Sequence, residues 1–181
     1  MIDPLIARVI GCGFAVLFIG AAWHKLSAPE RFAAILRDYQ LLPAFLIRPL
    51  TFLIPAIELT LVLGWISGLA TWITAITSAA LLATYALAIA INIVRGRIYI
   101  DCGCGFGASG GEEQALSSSL VTRNILLIGV ALLSLVPTTA RGLGITDLVI
   151  IFASVLIAIL LYASSEQLIQ NRAAIVTWRG K

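Results

Sequence analysis

Charged side chains make up only 12% of the 181 residues, half the ~25% of a soluble globular domain. The chain is 60% hydrophobic, with a mean hydropathy of +1.04. That shortage of charge excludes a separate water-soluble domain and points to a multi-pass membrane protein. Histidine occurs once, at His24, and cysteine three times, at Cys12, Cys102 and Cys104. Zinc usually takes four ligands and copper(I) at least two soft ones. A metal held by the cysteine pair could therefore recruit only His24 and Cys12. No nucleic-acid motif accompanies the net charge of +3, because loop orientation alone enriches a membrane protein in basic residues. The first apolar run lacks a basic start and a small-x-small cleavage site, so no cleavable signal is expected. Low-complexity segments and internal repeats are also missing.

What is present is a series of apolar runs near the twenty residues a bilayer needs. The first is expected from Pro4 to Trp23, with Gly13, Leu17, Gly20 and His24 on one face for close helix approach. The second runs from Arg48 to Trp65, the third from Ala70 to Val94, the fourth from Ser117 to Leu135 and the fifth from Ile145 to Tyr162. Between the first two lies Ser27 to Leu42, too short and too charged to span. Ser27 is expected to cap it, with Pro29 in its first turn, and Phe32, Ile35, Leu36 and Tyr39 recur at helical spacing. It reads as an amphipathic helix lying in the interface. The fold class is thus an all-α membrane protein: a four-helix transmembrane bundle core, a fifth span and one interfacial helix. One domain, 1–181, is expected, with the core over 5–135 and an added span and basic tail over 145–181. Trp23, Trp65 and Trp72 read as interfacial belt residues.

The polar residues inside these runs are few. Glu58 lies about ten residues into the second span, on the order of 15 Å deep. A carboxyl there must be neutral, paired or turned to a polar cavity. It could relay protons or polarise a bound quinone, or it could pair with Arg123, Asn92 or Tyr85 and lock the bundle. Tyr85, Ala88, Asn92 and Arg95 form a polar stripe on the third span. His24 reads equally as a proton donor beside a reactive thiol or as an interfacial residue. Lys25 reads better as an anchor snorkelling to the headgroups than as a site residue. Arg123 and Asn124 begin the fourth span, either facing an acid or anchoring the span. Cys12 reads as a small apolar filler.

The longest polar break carries Asp101-Cys102-Gly103-Cys104-Gly105-Phe106-Gly107. Two thiols one residue apart among glycines can close as a tight disulfide, hold a soft metal or do neither. Thiol–disulfide exchange is the preferred reading. Arg95, Arg97 and Arg123 would favour the thiolate, and Asp101 would oppose them. With five spans, ten of the twelve basic residues fall on the face that carries this loop, and only Arg8 and Arg141 on the other. The positive-inside rule then puts the Cys-Gly-Cys loop and the C-terminus in the cytoplasm.

His24-Lys25-Leu26, Pro29, Phe32, Tyr39, Leu42-Pro43, Pro55-x-x-Glu58, Asp101-Cys102-Gly103-Cys104 and Arg123-Asn124 together resemble the MauE branch of the DoxX-like membrane proteins over residues 5–135. The resemblance implies a small helical bundle in a bacterial cytoplasmic membrane. It also implies a role, with a thioredoxin-like partner, in maturing a disulfide-rich dehydrogenase of methylamine utilisation. That partner is extracytoplasmic, opposite to the side the basic residues select. The chain departs from the family pattern at Gly105, where the family loop runs Cys-Gly-Cys-Phe-Gly. The resulting expectation is a membrane thiol–disulfide oxidoreductase or disulfide-transfer factor using Cys102 and Cys104, with His24 and Glu58 in the chemistry. Lys25, Asn92, Arg95, Asp101, Arg123 and Asn124 would support it, and a quinone is a candidate electron acceptor. The alternatives are a non-enzymatic subunit of a larger membrane complex and a soft-metal-binding membrane protein.

Overall fold

The computed structural model describes residues 1–68, 71–97, 118–139 and 141–179. The Cys102–Cys104 pair, Asp101 and the loop glycines lie outside the described residues. Among the described residues six helices follow in order: α1 (Pro4–Ser27), α2 (Pro29–Asp38), α3 (Ala44–Ser67), α4 (Thr71–Val94), α5 (Ser118–Leu133) and α6 (Ile145–Arg179). Four of them, α1, α3, α4 and the Ile145–Ser165 part of α6, are long and apolar enough to cross a membrane. At 16 residues α5 is about 24 Å long, short of the ~30 Å hydrocarbon core. It nevertheless connects the two ends of the bundle.

One end is tied by the N-terminus. The Ile2 N–H donates to the Pro137 carbonyl at 3.0 Å, and the Thr139 N–H donates to the Ile2 carbonyl at 2.9 Å. Asp3 caps α1 by accepting from the Leu5 N–H at 2.9 Å, which satisfies an otherwise orphaned donor. Arg141 bridges Asp3 at 3.3 Å and Asp147 at 2.9 Å. The α3–α4 turn belongs to this end too, where Gly68 adopts a φ of +67° beside the Arg8 guanidinium. At the other end Ile35 and Tyr39 of the α2 region pack with Ile89 of α4 and Leu120 of α5. Both flanks of the cysteine segment, residues 97 and 118, therefore emerge beside α2.

The amphipathic helix is shorter than the sequence suggests. Ser27 is the last residue of α1 and not the cap of α2, which begins after Ala28 without any side-chain cap and has Pro29 in its first turn. Its buried face is nonetheless the one expected, with Phe32, Ile35 and Tyr39 each under 10% exposed. The last helix runs without interruption to Arg179, so the basic tail continues the fifth span as helix.

The central core forms where α1 and α3 run antiparallel against α4 and α5. Phe14 stacks on Trp65 with ring centroids 5.1 Å apart. The Trp65 indole N–H donates to the Ser78 hydroxyl at 3.0 Å. Trp65 is only 5% exposed, so it is a core residue and not part of the interfacial belt, whereas Trp23 and Trp72 are largely exposed. Two glycines explain why Trp65 turns inward. A Cβ on Gly64 would meet the Thr74 hydroxyl at 2.5 Å, which shows how closely α3 approaches α4. A Cβ on Gly11 would lie 3.3 Å from the Trp65 carbonyl oxygen. The glycine of close approach in α1 is thus Gly11 and not the expected Gly13, whose Cβ would meet nothing within 4 Å.

Candidate functional site

The polar centre of the bundle is an ion pair. Lys25 Nζ lies 2.6 Å from Glu58 Oε1, with side-chain exposures of 1% and 0%. Helix register explains how residues from such different positions meet. Gly11 and Trp65 lie side by side. From that level Lys25 is fourteen residues up α1, about 21 Å, while Glu58 is seven residues back along α3, about 10 Å. Side chains lean towards the N-terminus of their own helix, and in antiparallel helices that leans the two towards each other. The long lysine stem and the glutamate close the remaining ~10 Å. Lys25 is therefore not a headgroup anchor: it turns back into the bundle.

The rest of the cluster satisfies the pair. The Tyr85 hydroxyl donates to Glu58 Oε1 at 2.8 Å. The ammonium lies over two rings, 5.6 Å from the Phe32 centroid and 5.4 Å from that of Tyr85, and also donates to the Ala21 carbonyl at 3.4 Å. Of the three partners expected for Glu58, Tyr85 bonds it. Asn92 is buried on α4 and donates to the Ala88 carbonyl at 3.0 Å, one turn back in its own helix. Glu58 Oε2 is buried without a hydrogen-bond partner among the described residues.

Glu58 belongs to the wall of a chamber of about 20 Å³, room for about one water molecule. Lys25, Glu58 and Tyr85 form one side, and Arg123, Asn124 and Tyr162 the other. The Arg123 guanidinium lies 5.4 Å from the Tyr162 ring centroid. Asn124 is buried and donates to the Leu120 carbonyl at 2.8 Å. Five residues named from sequence thus meet here: Lys25, Glu58, Tyr85, Arg123 and Asn124. His24 is half-buried one residue from Lys25, about 100° round the helix, and does not line the chamber. Arg95 is exposed at the end of α4. Tyr162 was not anticipated. Its signal in the sequence is a hydroxyl-bearing ring at the end of an otherwise apolar span.

Chemically the chamber wall combines the Glu58 carboxylate with the cations of Lys25 and Arg123 and the hydroxyls of Tyr85 and Tyr162. Such a site can exchange a proton or grip a small polar group deep in a membrane. Among the described residues no three His, Cys, Asp or Glu side chains gather as a metal-holding group. Cys12 and His24, twelve residues apart on α1, are separated by about 18 Å and cannot both complete one centre.

These features define an integral membrane helical bundle with an ion-paired polar chamber between its helices. The model of the family described as "Methylamine utilisation protein MauE" matches residues 3–137, three-quarters of the chain, and the chain belongs to that family. The protein named methylamine utilization protein MauE in Paracoccus versutus is 35% identical over 168 residues, covering 92% of this chain and 88% of its own length. Its namesake in Paracoccus denitrificans is 35% identical over 132 residues, covering 73% of this chain and 69% of its own. The one in Methylorubrum extorquens is 33% identical over 166 residues, covering 90% and 87%. No solved structure matches the chain.

Proposed function

We propose that this protein serves a methylamine-utilisation system as a membrane disulfide-transfer factor, exchanging through Cys102 and Cys104 with a thioredoxin-like partner. The observation that carries the reading is the placement of the flanks of the cysteine segment. α4 and α5 bring residues 97 and 118 to the end of the bundle where Lys25 closes α1 and α2 packs. In the exchange a partner thiolate attacks the Cys102–Cys104 disulfide, forming a mixed disulfide and freeing one loop thiolate. The second partner thiol resolves it. Two electrons have then moved from the partner dithiol to the loop pair, which leaves the partner oxidised, and the reverse sequence reduces it. Lys25 and Glu58 act by orienting the bundle end and storing a proton.

The test is to trap the intermediate. A Cys104→Ser variant retains Cys102, which attacks a partner disulfide and has no neighbour to release it. A covalent adduct with a thioredoxin-fold protein, lost on reduction and lost in Cys102→Ser, is the expected result. Full function in either single-cysteine variant would falsify the dithiol reading. Labelling intact cells with a membrane-impermeant maleimide, before and after reduction and in a Cys12→Ala background, then reports the side. Labelling that requires both reduction and lysis puts an oxidised pair in the cytoplasm, as the basic residues predict. Reduction-dependent labelling of intact cells puts it outside, where the family's partner resides.

A second reading is a non-enzymatic subunit of a larger membrane complex. It draws on α6, whose spanning part is 6% buried and leaves a long apolar face for a neighbouring helix. Co-purification of such a complex after loss of both loop cysteines favours it.

A further inference from the structure

A second space adjoins the polar chamber. It is a cavity of about 330 Å³ between α1, α5 and α6, within the ~300–1,000 Å³ range of small-molecule sites. Gly13, Val130 and Ala158 line it, and Tyr162 is its one polar side chain among the described residues. It faces the middle of α1, at the depth of the hydrocarbon. Leu17, Leu127 and Tyr162 belong to both spaces, so the apolar cavity ends where the polar chamber begins.

From this juxtaposition we infer that the cavity binds a membrane quinone, with its ring edge turned to Tyr162 and its isoprenoid chain between α1 and α6. The two spaces together fit a ligand that is mostly apolar and carries a small hydrogen-bonding edge. A quinone carbonyl accepts from the cationic and hydroxyl donors on the chamber wall, and a quinol hydroxyl donates to the Glu58 carboxylate, which lines that wall and has one oxygen without a partner among the described residues. Other membrane molecules fit less well. A phosphate headgroup is too large for a 20 Å³ chamber and would meet the Glu58 carboxylate. A bare acyl chain would leave that buried oxygen without a donor. The inference deepens the disulfide-transfer reading by naming the class of its electron acceptor, and rests on it only for the purpose of the quinone. Occupancy stands or falls on its own.

Gly13 supplies the test. It lines the cavity, and an added Cβ meets nothing within 4 Å, so the side chain of Gly13→Leu starts into open space and fills the cavity. The full-length protein in phosphatidylcholine nanodiscs is photolabelled with an azido-ubiquinone bearing two isoprene units. The label is mapped by mass spectrometry, and thermal melting of each variant reports the fold. Labelling of α1 or α6 peptides, displaced by unlabelled ubiquinone of the same length and not by an equal excess of hexadecane, is expected. Gly13→Leu should reduce it at least fivefold. Ala158→Leu, from the opposite wall, should do the same and carries the test if Gly13→Leu does not fold. Equal labelling of folded filled variants overturns the site. Displacement by hexadecane overturns it in favour of an acyl chain. The variant with both Cys102→Ser and Cys104→Ser should label as the wild type does. Intact labelling with a failed mixed-disulfide trap would reject the thiol reading and leave the quinone site standing.

Discussion

Removing the lysine of the buried pair should harm the fold more than removing the glutamate, although the two share one short contact. At an effective dielectric of about 20, unit charges 2.6 Å apart attract by about 6 kcal/mol. In Lys25→Met that attraction and both ring contacts vanish, while Glu58 stays in mid-helix with only the Tyr85 hydroxyl. An uncompensated buried charge costs about 3–5 kcal/mol. At about 2–4 °C per kcal/mol for a chain of this size, the melting midpoint should fall by about 6–20 °C. Glu58→Met leaves a lysine two residues from the end of α1, whose long stem can swing out to the headgroups. Its loss should be the smaller one. The double variant, Lys25→Met with Glu58→Met, removes both desolvation penalties with the pair and should melt near the wild type. The assay is circular dichroism of the four proteins through thermal unfolding in one detergent. Additive losses in the double variant, or a Lys25→Met midpoint within about 2 °C of wild type, would refute the claim that the pair holds the bundle.

Two further outcomes follow from the same geometry. Gly64→Ala should destabilise by about 1–3 kcal/mol, because its Cβ meets the Thr74 hydroxyl and methyl at 2.5 and 2.9 Å, and adding Thr74→Ala should recover most of the loss in the same melting assay. Tyr85→Phe removes a hydrogen bond to a charged acceptor and should cost about 1.5–3 kcal/mol, a loss that should shrink to near zero in a Glu58→Met background.

The helices were legible because hydrocarbon thickness dictates their length, and α2 because a charged wheel with one apolar face has few other uses. The core face of α2 followed from spacing alone. Glu58 was legible as a buried carboxyl needing a partner, since its position in mid-span allows no escape to water. Lys25 was not. Its distance along α1 suggests a headgroup anchor, and only the register of α1 against α3, fixed by Gly11 beside Trp65, brings it within reach of Glu58. Trp65 misleads for the same reason. It sits near a helix end, where indoles often meet the interface, yet the close approach at Gly64 turns it inward to Ser78. Gly13 and Gly11 differ by two residues, about 160° on the wheel after wrapping, and spacing alone could not say which face meets α3. In each case the missing information is how one helix turns against another and how far it slides along it.

That sliding also decides the standing of α6. From the sequence it is an addition to a four-helix core, and the family match ends at residue 137, before it begins. Yet Tyr162 of α6 closes both the polar chamber and the apolar cavity, and it carries the Arg123 guanidinium on its ring. The similarity to the Paracoccus versutus protein covers 92% of the chain and so must extend into α6. A helix that packs on α1 and exposes most of its spanning surface adds little to the core by burial. Its contribution is to wall the site. A chain truncated before Ile145 would keep the Lys25–Glu58–Tyr85 cluster, whose members all precede it, but would open both spaces to lipid. The bundle and the site therefore have different minimal lengths, and the difference is the helix that bears Tyr162.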